Sequence, residues 1–127
     1  MSSKPHLSQR SITAYNRLCR EVVALNYLVR IAKPAGTLGE VGRSMLGGAL
    51  RTANRLYRRE AGLPGFGRIS PTEVLTVADV ALIVARLTTA GITFEERYAH
   101  LTEEGAEEAE RQARSAALVA QLDATPL

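Results

Sequence analysis

The stretch from Val74 to Leu87 constrains the fold more than any other part of the chain, because it is apolar almost all round. Only Thr76, Asp79 and Arg86 interrupt it. A helix with so little polar surface belongs at the centre of a core or in an interface. Its β-branched residues leave a strand as the alternative, since periodicity does not separate the two for a short apolar run. We expect a helix that reaches about Ala90 and forms the centre of the fold.

A first helix is predicted to begin at Ser8 or Ser11 and to reach about Ala32. Pro34 and Gly36 then prevent its continuation. Along this helix apolar residues recur at alternating spacings of three and four, which is the heptad pattern of a packing seam. The seam either packs inside the monomer or meets another subunit, and in the second case it is a candidate interface. It consists of Tyr15, Leu18, Val22, Leu25 and Val29.

A second helix is predicted from Gly39–Gly42 to about Glu60, with an apolar face and a row of arginines on the other side. Such a row can neutralise several phosphates, so it forms a candidate binding patch for nucleic acid. The alternative is a solvated helix face, or a surface that meets the acidic half of the chain. The patch consists of Arg43, Arg51, Arg55, Arg58, Arg59 and Arg68.

Charge divides the chain into two halves. Residues 1–68 carry twelve basic and three acidic side chains, a net charge of +9, whereas residues 69–127 carry four and ten, a net charge of −6. Such a basic half favours a polyanionic partner, or the acidic half of another copy. The sign changes at a segment rich in Gly and Pro. The predicted parts, which share one core, are a basic helical half at 1–61, a Gly/Pro linker at 62–70 and an acidic helical half at 71–127.

The first helix of the acidic half is predicted to start at Ser70. Ser70 can cap a helix that begins at Pro71, with Glu73 reaching back as in a capping box. Thr76 with Asp79 is a competing start. Gly91 is predicted to end this helix by supplying a left-handed residue just after it.

A capping box at Thr93–Glu96 predicts a short further helix, which Gly105 ends. A last helix is predicted from about Ala106 to Leu122, and the tail at 123–127 is expected to fray. Together these segments predict an all-α fold, a small bundle of four to five helices around the central apolar helix. The apolar residues of the short helix are Phe94, Tyr98 and Leu101, and a stripe on the last helix consists of Ala109, Ala113, Ala116 and Ala120.

No set of residues in the sequence forms a convincing catalytic site. The lone cysteine, Cys19, falls beside the apolar seam and is predicted to be a structural thiol. Glu96 and His100 lie four apart on one helix face, where a solvated ion pair is a simpler interpretation than a metal site. The glycines between 36 and 42 miss the spacing of a phosphate-binding loop and lack its lysine. We therefore predict no enzyme, no cofactor, no metal site and no small-molecule substrate.

Residues 87–96 (LTTAGITFEE), followed by Leu101 and by the acidic residues up to Arg111, combine an apolar helix, a Gly-Ile break, a capped start and an acidic helix. In this order they resemble the C-terminal helical segment of tailed-bacteriophage portal proteins, over about residues 41–111. The resemblance implies a helical segment with a role in phage-type assembly or as an adaptor. A portal subunit is several times longer, and its wing and channel-lining stem have no counterpart here.

These patterns favour a non-enzymatic helical interaction or assembly module that self-associates or docks on a larger complex. The alternative is a nucleic-acid-binding accessory or regulatory protein that uses its basic half. We expect a homo-oligomer or a protein partner, with nucleic acid as the alternative partner. Neither a signal peptide nor an apolar run of about 20 residues is evident, which favours a soluble cytoplasmic protein without membrane contact.

Overall fold

Helix α1 (Gln9–Ile31) forms the centre of the fold. The computed structural model describes residues 4–98 and 106–122, and in the second range the side chains of 111 and 113–122. Within these residues the chain forms four helices and no strand, so the predicted all-α bundle is confirmed. The helices that pack against α1 are α2 (Glu40–Tyr57), α3 (Val77–Arg97) and α4 (Ala106–Leu122).

The apolar helix that the sequence places at the centre of the fold is α3. The structure does not place it there. α3 packs mainly on α1 and leaves its opposite face uncovered within the described residues. α1 takes the central place because its buried residues cover about half of its circumference, so that it can contact three helices at once. Those buried residues are Tyr15, Leu18, Ala24, Leu25 and Leu28.

The heptad seam of α1 packs inside the chain. Tyr15, Leu18 and Leu25 are buried. Val22 and Val29 are partly buried against the same core. Of the two alternatives for this seam, the structure agrees with packing within the monomer. The physical reason is again the central position of α1, which has other helices over its apolar face.

The ends of α1 and α2 agree with the sequence prediction to within a few residues. Ser8 caps α1, and its hydroxyl oxygen accepts a hydrogen bond from the Ser11 backbone nitrogen at 3.2 Å. α2 begins after Gly39 and ends at Tyr57, somewhat earlier than predicted. The chain then turns at Gly62, whose φ of 82° lies in the left-handed region that glycine adopts without strain.

α3 begins at the second of the two predicted starts. The Thr76 hydroxyl accepts from the Asp79 nitrogen at 3.1 Å, and the Asp79 carboxylate accepts from the Thr76 nitrogen at 3.0 Å, which completes a capping box. Ser70 opens a turn instead of a helix. Its carbonyl oxygen accepts from the Glu73 nitrogen at 3.1 Å and from the Arg43 guanidinium at 2.8 Å. The predicted helix start at Ser70 is therefore wrong, because these contacts form an isolated turn there.

α3 continues through Gly91, where the sequence predicts its end. Gly91 serves close packing: a Cβ atom at this position would lie 3.1 Å from the Tyr15 hydroxyl oxygen. That hydroxyl donates a hydrogen bond to the Gly91 carbonyl oxygen at 3.0 Å. The missing side chain therefore lets α1 approach α3, and no left-handed turn is formed.

Thr93 also lies inside α3, and its hydroxyl donates to the Thr89 carbonyl oxygen at 3.3 Å. The predicted capping box at Thr93–Glu96 therefore opens no new helix. The helix break that the resemblance to portal proteins implies after Gly91 is likewise not formed. The remaining predictions for this region, at His100, Leu101, Gly105, the Ala109 side chain and the tail at 123–127, lie outside the described residues.

α4 packs against α1 through small side chains. Ala113 and Ala117 are buried together with Ala24 of α1, and Ala120 joins the main core. Of the predicted stripe, Ala113 and Ala120 are buried, whereas Ala116 is half-buried and Ala117 takes the position between them. Small residues let the two helices approach closely. The core therefore contains residues of both the basic and the acidic half.

One helix among the described residues, α3, is long and apolar enough by length and composition to span a membrane. Of its most apolar window, 33% is buried inside the structure. The core helix of a soluble protein meets the same criterion. The inner face of α3 is such a core face, because Val80, Val84 and Leu87 are buried in the main cluster.

Candidate functional site: an arginine-lined groove and an exposed helix face

A groove of about 1020 Å³ lies between the polar face of α2 and the loop 63–71. We call it the arginine groove, because five of the six arginines of the predicted patch line it. No Asp or Glu is among the described residues that line it. Arg59 is exposed outside the lining. The lining arginines are Arg43, Arg51, Arg55, Arg58 and Arg68.

Helical periodicity places three of these arginines. Arg51, Arg55 and Arg58 follow one another at spacings of four and three residues at the end of α2. They therefore project from one face of the helix and span about 10 Å along its axis. Within the described part of the chain, neither these three nor Arg68 form a salt bridge. The charges of Arg55, Arg58 and Arg68 are open to a ligand, whereas Arg51 is also attracted by the Glu21 carboxylate of α1.

Arg43 holds the loop in place. Its guanidinium donates hydrogen bonds to the carbonyl oxygens of Ser70 at 2.8 Å, of Pro71 at 3.1 Å, and of Glu73. These bonds tie the end of the loop 63–71 to the first turn of α2. The prediction that Arg43 is free to bind a ligand is therefore wrong, because its guanidinium donates to backbone carbonyl oxygens of the same chain.

The other wall of the groove is the loop 63–71, which is held from two helices. On α2, the Asn54 side-chain oxygen accepts from the Phe66 backbone nitrogen at 2.7 Å. On α3, Arg86 donates to the Gly65 carbonyl oxygen at 3.2 Å, and its guanidinium carbon lies 5.2 Å from the centre of the Phe66 ring. The segment predicted as a linker is therefore an ordered wall of the groove.

Glu60, in the turn after α2, is bound by the end of α3. Arg97 Nη1 lies 3.0 Å from one carboxylate oxygen, and the Tyr98 hydroxyl donates to the other. Arg97 also donates to the Ala61 carbonyl oxygen. The hydrogen bond to the carboxylate raises the pKa of Tyr98, because it favours the protonated phenol. The negative charge of Glu60 is thus balanced by Arg97.

α3 exposes an apolar stripe on the side opposite its buried face. Leu82 is 71% exposed and Ile92 is 54% exposed. The stripe recurs at alternating spacings of four and three, which is the heptad pattern of helix pairing. We call it the outer face of α3, and it consists of Ala78, Leu82, Ala85, Thr89, Ile92 and Glu96, all of them exposed.

A shallow cleft of about 290 Å³ lies beside the outer face, between α3 and the turn after α2. Ala85 and Thr89 line it from α3, and Leu63 and Pro64 line it from the loop. Leu63 and Pro64 also line the arginine groove, so the same two residues separate the two sites. The small side chains on α3 leave room for an apolar side chain of a partner.

The outer face of α3 was missed from the sequence. Because the stretch is apolar on both sides, the apolar residues alone do not show which side the chain covers. The usable signal was the heptad spacing from Ala78 to Ile92, which is as regular as the seam of α1. That seam is buried, whereas the stripe on α3 is exposed and can meet another chain.

The interior packs aromatic rings and a protected thiol. The Phe94 ring lies 5.1 Å from the Tyr15 ring and 5.0 Å from the Tyr57 ring, between centroids. Burial raises the pKa of Cys19 to about 11, which makes its thiol a poor nucleophile at neutral pH. No group of three or more metal-ligating side chains occurs among the described residues.

The fold and its surfaces define a class of protein: a small helical bundle with an arginine-lined groove beside an exposed apolar helix face. Comparison of the chain with protein-family models, curated proteins and solved structures finds no match. The residues of these two surfaces therefore indicate what the protein does.

Proposed function

We propose that this chain is a non-enzymatic assembly module that self-associates through the outer face of α3. The observation that supports it is the exposure of Leu82 and Ile92 on one stripe with heptad spacing. Covering such side chains removes apolar surface from water, which contributes about 25 cal/mol per Å². A contact between copies would also fill the cleft beside Ala85.

A second copy is the partner that this face fits. The stripe is narrow in its middle, where Ala85 and Thr89 lie, and bulky at Leu82 and Ile92. Two stripes that cross antiparallel bring Leu82 of one copy onto Ile92 of the other, while the small residues meet at the two-fold axis.

The biological setting of this module is a second part of the proposal. A phage-type adaptor, which would present the outer face of α3 to a larger complex, rests on the sequence resemblance of residues 41–111 to portal proteins alone, since the helix break that this resemblance implies after Gly91 is not formed. A cytoplasmic location agrees with Cys19, the lone cysteine, which needs no oxidising compartment.

The solution mass of the protein tests self-association. We expect the wild type at tens of micromolar and low salt to be a dimer by light scattering. Leu82→Glu and Ile92→Glu are each expected to give a monomer, because a charge at the contact has no partner. Val119→Glu is the matched control, since Val119 on α4 is exposed to the same 54% as Ile92. It should keep the mass of the wild type.

Two outcomes would count against the proposal. A wild type that stays monomeric under these conditions removes self-association altogether. A dimer that persists in both α3 variants places the contact elsewhere and removes the outer face of α3 as its site. Thermal unfolding of each variant shows that a change of mass reflects the contact and not the fold, because both side chains are exposed in the monomer.

A further inference from the structure

The arginine groove is a site independent of the outer face of α3. We propose that it binds the sugar-phosphate backbone of single-stranded nucleic acid without reading the base sequence. Its lining presents Arg51, Arg55, Arg58 and Arg68, and no acidic side chain among the described residues of the lining balances them. Arginine pairs with phosphate oxygens through two parallel hydrogen bonds, which supplies both attraction and orientation.

The dimensions of the groove fit a run of phosphates better than one small anion. Arg51 and Arg58 are about 10 Å apart along the axis of α2, so the arginines can contact more than one phosphate of a strand. The volume of about 1020 Å³ is at the upper end of the range for pockets that enclose whole drug-sized ligands. A single phosphate would occupy a small part of it.

Two glycines on the opposite wall support close approach of a ligand. A Cβ atom added to Gly65 or Gly67 would meet no atom within 4 Å, and neither residue has a left-handed backbone. Neither packing nor backbone conformation therefore requires glycine at these positions, although glycine makes the unfolded chain more favourable. A nucleic-acid strand that lies against the loop backbone would require glycine at both positions, because a side chain there would occupy the space of the strand.

The groove offers no platform for the bases. Phe66 lies beneath Arg86 and is 6% exposed, and Tyr57 is 2% exposed. Stacking on aromatic side chains is therefore not available, and the affinity comes from the backbone charges. Walls on both sides, α2 and the loop 63–71, confine a single strand. A duplex presents its phosphates on a broad convex surface, which the loop would hold away from the arginines.

Fluorescence anisotropy with a labelled single-stranded oligonucleotide of mixed sequence tests the proposal. The triple variant Arg51→Gln, Arg55→Gln, Arg58→Gln is expected to bind at least about tenfold more weakly at about 100 mM salt. The slope of log affinity against log salt should decrease by up to about 2, because a single-strand contact contributes about 0.7 per phosphate.

A matched triple variant controls for net charge. Arg10→Gln, Arg30→Gln and Lys33→Gln remove the same charge from exposed positions outside the groove. We expect this variant to bind within about threefold of the wild type, since its phosphate contacts are kept. A further variant, Gly67→Leu, keeps every charge and adds a side chain at a residue that lines the groove. It should weaken binding without lowering thermal stability, because its side chain enters open space.

Several outcomes would overturn the proposal. Equal losses in the two triple variants would mean that net charge alone attracts the oligonucleotide. Tighter binding to a duplex of the same sequence would exclude a single strand as the preferred ligand. A wild type that binds no oligonucleotide, with a solution mass that falls in the groove variant, would assign the groove to the acidic half of another copy. Leu82→Glu should bind the oligonucleotide like the wild type. The test of self-association and the test of the arginine groove can therefore fail independently.

Discussion

Tyr15 donates a hydrogen bond from its hydroxyl group to the carbonyl oxygen of Gly91, with 3.0 Å between the two oxygen atoms. The Tyr15 ring also stacks on Phe94, at 5.1 Å between centroids and 8° between planes. One polar and one aromatic contact thus join α1 to the second half of α3. Substitutions at Tyr15 and at Gly91 measure how much this contact contributes to stability.

We expect Gly91→Ala to destabilise the protein by about 1 kcal/mol, measured by urea unfolding. In an open helix this change gains up to about 1 kcal/mol. Here the new methyl group lies 3.1 Å from the Tyr15 hydroxyl, whose ring is held by Phe94, so overpacking and a weakened hydrogen bond outweigh the gain. Gly47→Ala is the control and should stabilise, because its Cβ meets only the flexible end of Arg51. Equal gains in both would contradict the close packing at Gly91.

Two buried tyrosines should respond differently to loss of the hydroxyl. Tyr15→Phe is expected to cost about 1 kcal/mol, because it removes the hydrogen bond to Gly91. The Tyr57 hydroxyl is buried and has no hydrogen-bond partner among the described residues. Tyr57→Phe should therefore be neutral or stabilising. Chemical unfolding of both variants measures the contrast, and a larger loss at Tyr57 than at Tyr15 would contradict it.

The start of α3 can be tested at its two candidate caps. Thr76→Ala should cost about 1 kcal/mol, because Thr76 caps the helix, whereas Ser70→Ala should cost much less. The hydrogen bond from the Thr76 backbone lowers the pKa of Asp79, so the stability from this contact is present at neutral pH and is lost as pH falls. Thermal unfolding of the two variants at neutral pH decides between the starts. A larger effect at Ser70 would place the cap there.

Glu21 should make the protein less stable near neutral pH than a neutral residue would. Burial raises the pKa of its carboxyl group, and the nearby Arg17 guanidinium only partly offsets this. One carboxylate oxygen is buried without a hydrogen-bond partner among the described residues. Since the folded state holds this proton more tightly than the unfolded state, its contribution is present at low pH and is lost as pH rises through the folded pKa.

Glu21→Gln is therefore expected to stabilise the protein at pH 7, with the gain shrinking toward about pH 4. The pH dependence of the unfolding free energy of wild type and variant gives this difference. Glu40→Gln is the control, because Glu40 is exposed in the first turn of α2 and favours the helix dipole there. It should not stabilise. Destabilisation by Glu21→Gln at neutral pH would show that the pair with Arg17 outweighs burial.

Cys19 should react slowly with a chromogenic disulfide reagent. With its pKa raised to about 11 by burial, only about one thiol in a thousand is ionised at pH 8. We expect the reaction to be at least about a hundredfold faster in denaturant, where the thiol regains an ordinary pKa. Comparable rates in the two conditions would show that Cys19 is accessible and reactive in the folded protein.

Local patterns predicted those features that depend on local physics. The apolar periodicity and the caps placed α1, α2 and α4 close to their observed bounds, with Ser8 at the start of α1. The same periodicity placed Arg51, Arg55 and Arg58 on one face of α2. Each of these depends on residues within a few positions of one another.

The remaining features depend on contacts between distant segments. A glycine such as Gly91 can end a helix or admit a neighbour, and the choice is made by Tyr15, 76 residues away. Both predicted starts of α3 satisfy the capping rules, and in the structure Arg43 from α2 binds a turn at Ser70, where the first helix start is predicted. The groove depends on the hydrogen bond between Asn54 and the Phe66 backbone, which holds the loop beside α2. The spacing of residues within one helix does not predict this contact.

Leu63 and Pro64 form a thin partition, with the arginine groove on one side and the cleft beside α3 on the other. A side chain pressed into the cleft and a strand laid in the groove would rest against the same two residues. Because Asn54 on α2 and Arg86 on α3 both hold the loop 63–71, we expect this partition to keep its position when either site is filled. One copy can then join an assembly and hold a nucleic-acid strand at the same time, with the two partners on opposite sides of one loop.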